Sequence, residues 1–285
     1  MKSFTGESGF FDRQIIWAIV SFVAFFLASR IDVRFLKQSN IALGVYSISL
    51  LFLVAVLIAG NTVNGAKSWF SFGAFSFQPS DVVKIALILL LAKFYSRRHV
   101  EIKHVKHVLI SGLYALVPLT LIFIEPDFGS AIIVFLIWFG MTLVSGISKK
   151  HLAVVFLLML TAFGGLWMFV FKPYQKERVI NFLNPYYDVR GSGYNAYQSR
   201  IAVGSGGLLG KGVGFGTQSR LQYLPEYQTD FIFAAFSEEW GFVGAIILLI
   251  LYGLLIARII KAAFTGATNF ETLFATGLAI MLLSH

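Results

Sequence analysis

The residues with types and spacing suited to chemistry are concentrated between Tyr197 and Gly244, around Leu224-Pro225-Glu226-Tyr227-Gln228-Thr229-Asp230-Phe231. Lys211, Arg220, Glu226, Asp230, Glu238 and Glu239 lie there beside a run of glycines. Asp230 precedes Phe231-Ile232-Phe233-Ala234-Ala235-Phe236, so a carboxylate stands at the edge of an apolar surface. Desolvation there would raise its pKa toward the range of a general base. The same position suits an N-cap, since Thr229 or Asp230 could open the following helix. Both readings stay open on the residues alone.

Three further groups carry possible chemistry. In Gln78-Pro79-Ser80-Asp81-Val82-Val83-Lys84, Pro79 suits a first helical turn and Asp81 the positive end of the helix dipole. Lys84 follows at a spacing that allows an ion pair on one face. This is either a well-capped helix or a polar group aimed into a wet cavity, where a lysine inside an apolar span usually faces. Glu125-Pro126-Asp127-Phe128-Gly129-Ser130 reads as a turn in which Asp127 can cap the next helix. The run Gly204 to Thr217 resembles a phosphate loop only superficially. With Gly210-Lys211 in register, its first required glycine falls on Ser205 and its Mg²⁺-binding hydroxyl on Gly212. What remains is either a backbone able to approach an anion, with Lys211 supplying charge, or a flexible re-entrant loop.

The elements that position these residues are membrane spans. Of 285 residues, 57% are hydrophobic and 13% charged, against roughly 25% charged in a soluble domain. Apolar runs able to cross a core of about 30 Å occupy 14–30, 41–60, 79–95, 107–124, 128–147, 152–171 and 231–257, and an incomplete one runs from Glu271 to His285. The expected fold is an all-α polytopic membrane protein, with seven transmembrane helices, a truncated eighth and a large extracytoplasmic loop. Helices are required because isolated strands cannot satisfy their backbone in lipid. There is no cysteine, which removes disulfides, thiolate metal sites and cysteine nucleophiles. The first apolar run follows Glu7, Asp12 and Arg13, an order unlike a cleaved signal peptide.

Lys and Arg set the orientation. Arg30, Arg34 and Lys37, then Lys93, Arg97, Arg98, Lys103 and Lys106, then Lys149 and Lys150, then Arg258 and Lys261 fall on alternate sides from Lys2, Arg13 and Lys67. The positive-inside rule puts the first set in the cytoplasm. Residues 60–78, 125–127 and the long 172–230 segment then face outward. The formal charge of +9 is explained by these loops, and no nucleic-acid partner is expected. The basic stretch 97–107, with His99, His104 and His107, is accounted for by anionic lipid. The 172–230 segment is rich in aromatic and basic residues and is expected to form short helices and turns on the outer membrane surface. Glu238 and Glu239 would be costly facing lipid, and are expected at the outer interface or in a polar cavity.

Taken together, Gly65-Ala66-Lys67-Ser68-Trp69, the 78–84 and 125–129 motifs, Arg178 to Pro185, and Gln198 to Glu239 resemble the SEDS family (shape, elongation, division and sporulation). The resemblance covers the whole chain as a single transmembrane domain, residues 1–285. It implies a peptidoglycan glycosyltransferase that polymerises lipid II at the outer face of the cytoplasmic membrane, beside a class B penicillin-binding protein. By resemblance, Asp230 falls on the family's essential aspartate, Asp81 and Lys84 on its acid–lysine pair, and Asp127 on its outer-face aspartate; Glu226 lies in the matching Leu-Pro-Glu motif and is assigned to substrate binding. A lipid diphosphate leaving group needs positive charge, for which Arg178, Arg200 and Lys211 are candidates, as is a divalent cation (Mg²⁺ or Mn²⁺) held by outer-face carboxylates. Its ligands are not identified.

The sequence departs from the family pattern in having Asp81 where a glutamate is usual, and in lacking the first and last of about ten spans, which reads as a fragment. Pro173-Tyr174-Gln175 and Gly216-Thr217-Gln218-Ser219 resemble the elongation branch, and Glu125 the division branch. Competing readings are a transporter or flippase of lipid-linked precursors, which would place charges near the midplane, and a non-catalytic cell-wall scaffold.

Overall fold

A computed structural model describes residues 8–30, 40–63, 66–72, 75–97, 105–184 and 186–285. Arg34, Lys37, Gly65, Arg98, His99, Lys103, His104 and Pro185 lie outside the described residues. The helices are α1 (Ser8–Ser29), α2 (Ile41–Ala59), α3 (Pro79–Arg97), α4 (Val105–Ile124), α5 (Phe128–Val144), α6 (Lys149–Gly165), α7 (Pro173–Leu183), α8 (Tyr194–Ser205), α9 (Thr217–Arg220), α10 (Ile232–Phe264) and α11 (Asn269–Ser284). A π-helical turn, Leu166–Val170, extends α6. Each apolar run of the sequence is thus a helix. By length and composition, four helical stretches among the described residues are long and apolar enough to cross a membrane, namely Ile41–Ala59, Val105–Ile124, Lys150–Val170 and Ile232–Phe264, and shorter apolar helices accompany them.

The chain divides into two compact units, one of Met1–Ile31 with Leu158–Gly253 and the other of Asp32–Leu157 with Leu254–His285. The second is organised around α3. Four charged residues interrupt its apolar run, yet Val83, Lys84 and the stretch from Ala86 to Lys93 are all buried, because α2, α5 and α11 pack on it. A side chain at Gly277 would run into Ile88 and Met141. The missing Cβ is what lets α11 approach α3 and α5, as small residues do where lipid supplies no driving force between helices. Polar pairs fix the neighbours: the Tyr46 hydroxyl donates to the Tyr114 carbonyl at 2.7 Å, the Tyr95 and Thr142 hydroxyls share a hydrogen bond of 2.7 Å, and Trp138 Nε1 donates to Ser111 Oγ at 3.2 Å.

To the helical frame the structure adds a small antiparallel sheet between α2 and α3, in the order β1 (Asn61–Val63), β2 (Ala66–Phe72), β3 (Phe75–Phe77). Its register pairs Thr62 with Lys67 and Phe70 with Phe77. Lys67 Nζ donates to the Ile58 carbonyl at 2.8 Å, placing a cation on the carbonyl end of α2, where the dipole favours it.

The first unit contains the long loop, and it has a small core of its own. Ala202, Leu224 and Ala234 are buried together, with Tyr227 and Phe231 packed on them. The expected short helices are α7, α8 and α9.

Candidate functional site

The loop that presents Asp230 is pinned at Leu224, which is fully buried. Beyond it the Glu226 carbonyl accepts from Thr229 N at 3.1 Å and from Phe231 N at 3.2 Å, and the Thr229 hydroxyl donates to Glu226 Oε2 at 3.2 Å. Those bonds turn the chain tightly, with Glu226 at φ 50°. Thr229 is used inside this turn and does not cap α10. Asp230 is exposed, so the burial expected of its carboxylate is not found in this unit. The side chain also takes no hydrogen bond or ion pair among the described residues, so the N-cap role is unfilled and both oxygens are available. Glu226, by contrast, serves its own loop.

The glycine run has a different task from either reading of the sequence. Helix α10 is broken at Gly241 (φ 67°, ψ −167°). In an unbroken helix the amides of Phe242 and Val243 would bond to the carbonyls of Glu238 and Glu239. Instead Phe242 N donates to Gly207 O at 2.9 Å and Val243 N to Leu208 O at 3.1 Å, while Lys211 N reaches Glu238 O and Gly212 N reaches Glu239 O, each at 3.0 Å. The loop is inserted into the break and supplies partners for these four groups. A Cβ on Gly210 would collide with the Glu239 carbonyl, and one on Gly241 with Gly210 N. Close backbone approach, not anion binding, therefore accounts for these glycines. The loop's amides at Lys211 and Gly212 are already used.

Glu238 is the centre of this assembly and is fully buried. Its Oε1 accepts from Lys211 Nζ at 2.8 Å, Thr217 Oγ1 at 3.0 Å and Gln218 N at 3.0 Å. Its Oε2 accepts from Gln218 N at 3.2 Å and Ser219 Oγ at 3.0 Å. The amides belong to the first turn of α9, where unpaired N–H groups favour an anion. Lys211 Nζ also donates to Ser205 Oγ at 2.8 Å and Thr217 Oγ1 at 2.7 Å. Its three protons are thus committed. Lys211, a candidate for the leaving group, thus neutralises a buried carboxylate in this unit. Sequence reasoning placed Glu238 in polar surroundings but missed the pairing. The available signal was a lone lysine in a glycine run, set against a lone acid pair in an apolar helix.

Two cations of the same unit are exposed. Arg178 is exposed on α7, and the Arg200 guanidinium lies 4.9 Å over the Tyr186 ring, an arrangement that orients the group without neutralising it. Asp188 closes the turn before α8 by accepting from Ser192 N at 2.8 Å and Gly191 N at 3.0 Å.

In the second unit Lys84 is buried and its Nζ lies 3.0 Å from Asp81 Oδ1. The shorter acid therefore still reaches the lysine. Lys84 Nζ is also 3.5 Å from His285 Nε2. Asp127 caps α5 through Ser130 N at 3.1 Å, and its other oxygen accepts from Gln78 Nε2 at 2.8 Å. A third acid, Glu125, is fully buried and neither of its carboxyl oxygens has a hydrogen-bond partner among the described residues. Burial, reinforced by Asp127, pushes its carboxyl up to about 8, so it holds its proton at neutral pH. Among the described residues no three His, Cys, Asp or Glu side chains converge so as to hold a metal ion.

Comparison with known proteins agrees with the motifs. The family FTSW_RODA_SPOVE, described as cell cycle protein, matches residues 2–285. The peptidoglycan glycosyltransferase MrdB of Escherichia coli K12 is 41% identical over 84% of this chain and 65% of its own length; the match thus spans just under two thirds of that relative. A solved chain from work on polymerization and crosslinking by a peptidoglycan synthase complex superimposes with a TM-score of 0.81 at 32% identity, covering 98% of this chain and 77% of that one. The rod shape determining protein RodA of Thermus thermophilus gives 0.65 at 30% identity, covering 94% and 71%. The chain is a multi-pass membrane protein and belongs to the FTSW_RODA_SPOVE family of cell cycle proteins.

Proposed function

We propose that the protein is a peptidoglycan glycosyltransferase that polymerises lipid II at the outer face of the cytoplasmic membrane during cell elongation, with Asp230 as general base. The observation that carries this reading is the state of Asp230: exposed, unpaired among the described residues, and held by a tightly hydrogen-bonded turn at the start of a long apolar helix. Such a carboxylate can take the proton from an acceptor sugar hydroxyl as the oxygen attacks the donor's anomeric carbon. The new glycosidic bond forms as the bond to the lipid diphosphate breaks. Arg178 and Arg200 supply positive charge for the departing diphosphate, and no step is routed through a metal ion. Asp81, Lys84, Asp127 and Glu226 are assigned to substrate binding, directly or by shaping the backbone that contacts it. The names of the relatives support the reaction class, and the likeness to a chain from a peptidoglycan synthase complex supports a class B penicillin-binding protein as partner. The elongation assignment rests on Pro173-Tyr174-Gln175 and on 41% identity to MrdB.

The test is glycan polymerisation from purified lipid II by the full-length protein with its transpeptidase. Asp230→Ala is expected to lower the rate by about 10²–10⁴-fold, the usual contribution of a positioned base. Undiminished polymer from this variant would remove Asp230 from the chemistry. Absence of polymer from a preparation that still moves lipid-linked precursor across the bilayer would assign the protein to transport.

A further inference from the structure

We propose that Tyr186, with Tyr197 and Arg200, forms a stacking platform for the sugar rings of a β-linked, N-acetylated glycan strand. The identity of the strand rests on the polymerase reading above. The Tyr186 ring carries the Arg200 guanidinium over one face, 4.9 Å from its centre, and packs on Tyr197 with ring centroids 6.2 Å apart at 68°. The residue is nevertheless 62% exposed, so the face away from Arg200 is open. Tyr187 beside it is 63% exposed. An aromatic face carries negative charge density, and the C–H groups along one side of a pyranose ring are its positive complement. Tyrosines supply such contact area at little cost in conformational entropy.

The turn that carries these rings is held at both ends. Tyr186 N donates to Asn184 Oδ1 at 3.3 Å and Tyr187 N to Asn184 O at 3.0 Å. Further on, the buried Asn181 donates from Nδ2 to Ser192 Oγ at 2.9 Å, and Gly193 N donates to Asp188 O at 3.0 Å. A ring fixed in advance loses less freedom when a ligand stacks on it. Phe182 and Leu183, 84% and 77% exposed, suit lipid, but the exposed surface that follows includes Asn184, Arg190, Gly191 and Ser192, which suits a hydrated polymer. Tyr197 and Arg200 are three residues apart and share one face of α8. Ala202 lies roughly 200° round the helix from Arg200, in the core that holds Leu224 and Phe231. The platform therefore faces away from that core, at about one helix diameter, roughly 10–12 Å, from the segment that leads into Asp230. A disaccharide bridges such a distance. Arg200 is also a charge assigned to the departing diphosphate, so a sugar stacked on Tyr186 lies beside that group.

The experiment uses the full-length protein in detergent and, as probe, the uncharged tetrasaccharide of β-linked N-acetylglucosamine, with binding read by titration in saturation-transfer NMR. Tyr186→Leu keeps apolar bulk but has no ring, and is expected to weaken binding about tenfold, the upper end of what one aromatic contact supplies. Tyr186→Trp, and Phe264→Ser at the exposed end of α10, should bind as the wild type does. Melting temperatures of all variants are matched first; should Tyr186→Leu fail to fold, Tyr186→Ser replaces it. In polymerisation from lipid II, Tyr186→Leu should give shorter strands and Tyr186→Trp strands of normal length. If Tyr186→Leu loses tetrasaccharide binding while no preparation polymerises lipid II, the platform stands and the polymerase reading falls. If the wild type polymerises but Tyr186→Leu equals it in binding and in strand length, the platform is wrong, the polymerase reading stands, and Tyr186 is an aromatic anchor at the membrane surface. Failure of the wild type to bind the tetrasaccharide also overturns the platform.

Discussion

At the scale of single residues, the two buried acids behave in opposite ways, because one has donors and the other has none. Glu238 is matched by Lys211 and by amides and hydroxyls of α9. Removing one partner of such a pair leaves a buried charge uncompensated, so Glu238→Ala is expected to cost about 3–5 kcal/mol. Thermal denaturation in detergent checks this, and adding Lys211→Met to Glu238→Ala should recover part of the loss. Glu125 has no donor among the described residues, and burial followed by the nearby Asp127 raises its carboxyl from 4.5 to about 8. Between those values the folded protein keeps a proton that the unfolded chain has released. Stability therefore falls as pH rises through that window and levels off above it. Glu125→Gln, which keeps the shape and cannot ionise, should flatten the melting temperature against pH; an unchanged slope would assign the dependence to another group. Neither acid's state was legible in the sequence, because Lys211 and Glu238 are 27 positions apart and because absence of a partner leaves no motif.

At the scale of elements, the spans were legible and their interruption was not. About 20 apolar residues suffice to identify a span, but a break in one depends on what else can bond to its backbone. Gly241 looks like any glycine in a membrane helix until the loop 207–212 is seen to occupy the gap. Gly241→Ala is expected to cost more than about 2 kcal/mol, since an alanine at positive φ is unfavourable by roughly 1–2 kcal/mol and its methyl would also strike Gly210 N. Gly164→Ala, with open space around it, is the neutral control, and protease sensitivity of the loop between α8 and α9 is the second readout. The sheet between α2 and α3 is hard to see in the sequence for a related reason. Its strands are 3 to 7 residues long, and beside spans such short alternation is faint, although Asn64-Gly65 is a hairpin signal in the sequence.

At the scale of the whole molecule, composition and the placement of Lys and Arg were enough to indicate a frame of apolar helices and its expected direction. Absence of cysteine makes that direction directly measurable. Asn195→Cys, on α8, should react with a membrane-impermeant maleimide added to intact cells, and Lys150→Cys, exposed at the start of α6, should react only after lysis. Labelling in the reverse order would invert the topology and remove the outward position of Asp230. The inserted loop also bears on how the chain is made. Residues 207–212 are synthesised before α10, so when that helix enters the bilayer, the partners for its open carbonyls and amides already exist. Until the loop docks, each open group costs several kcal/mol in lipid. The end of this span at Gly241 should therefore be the last part to settle during biogenesis, and a delay in loop docking would hold the helix at the bilayer surface and expose it to membrane proteases.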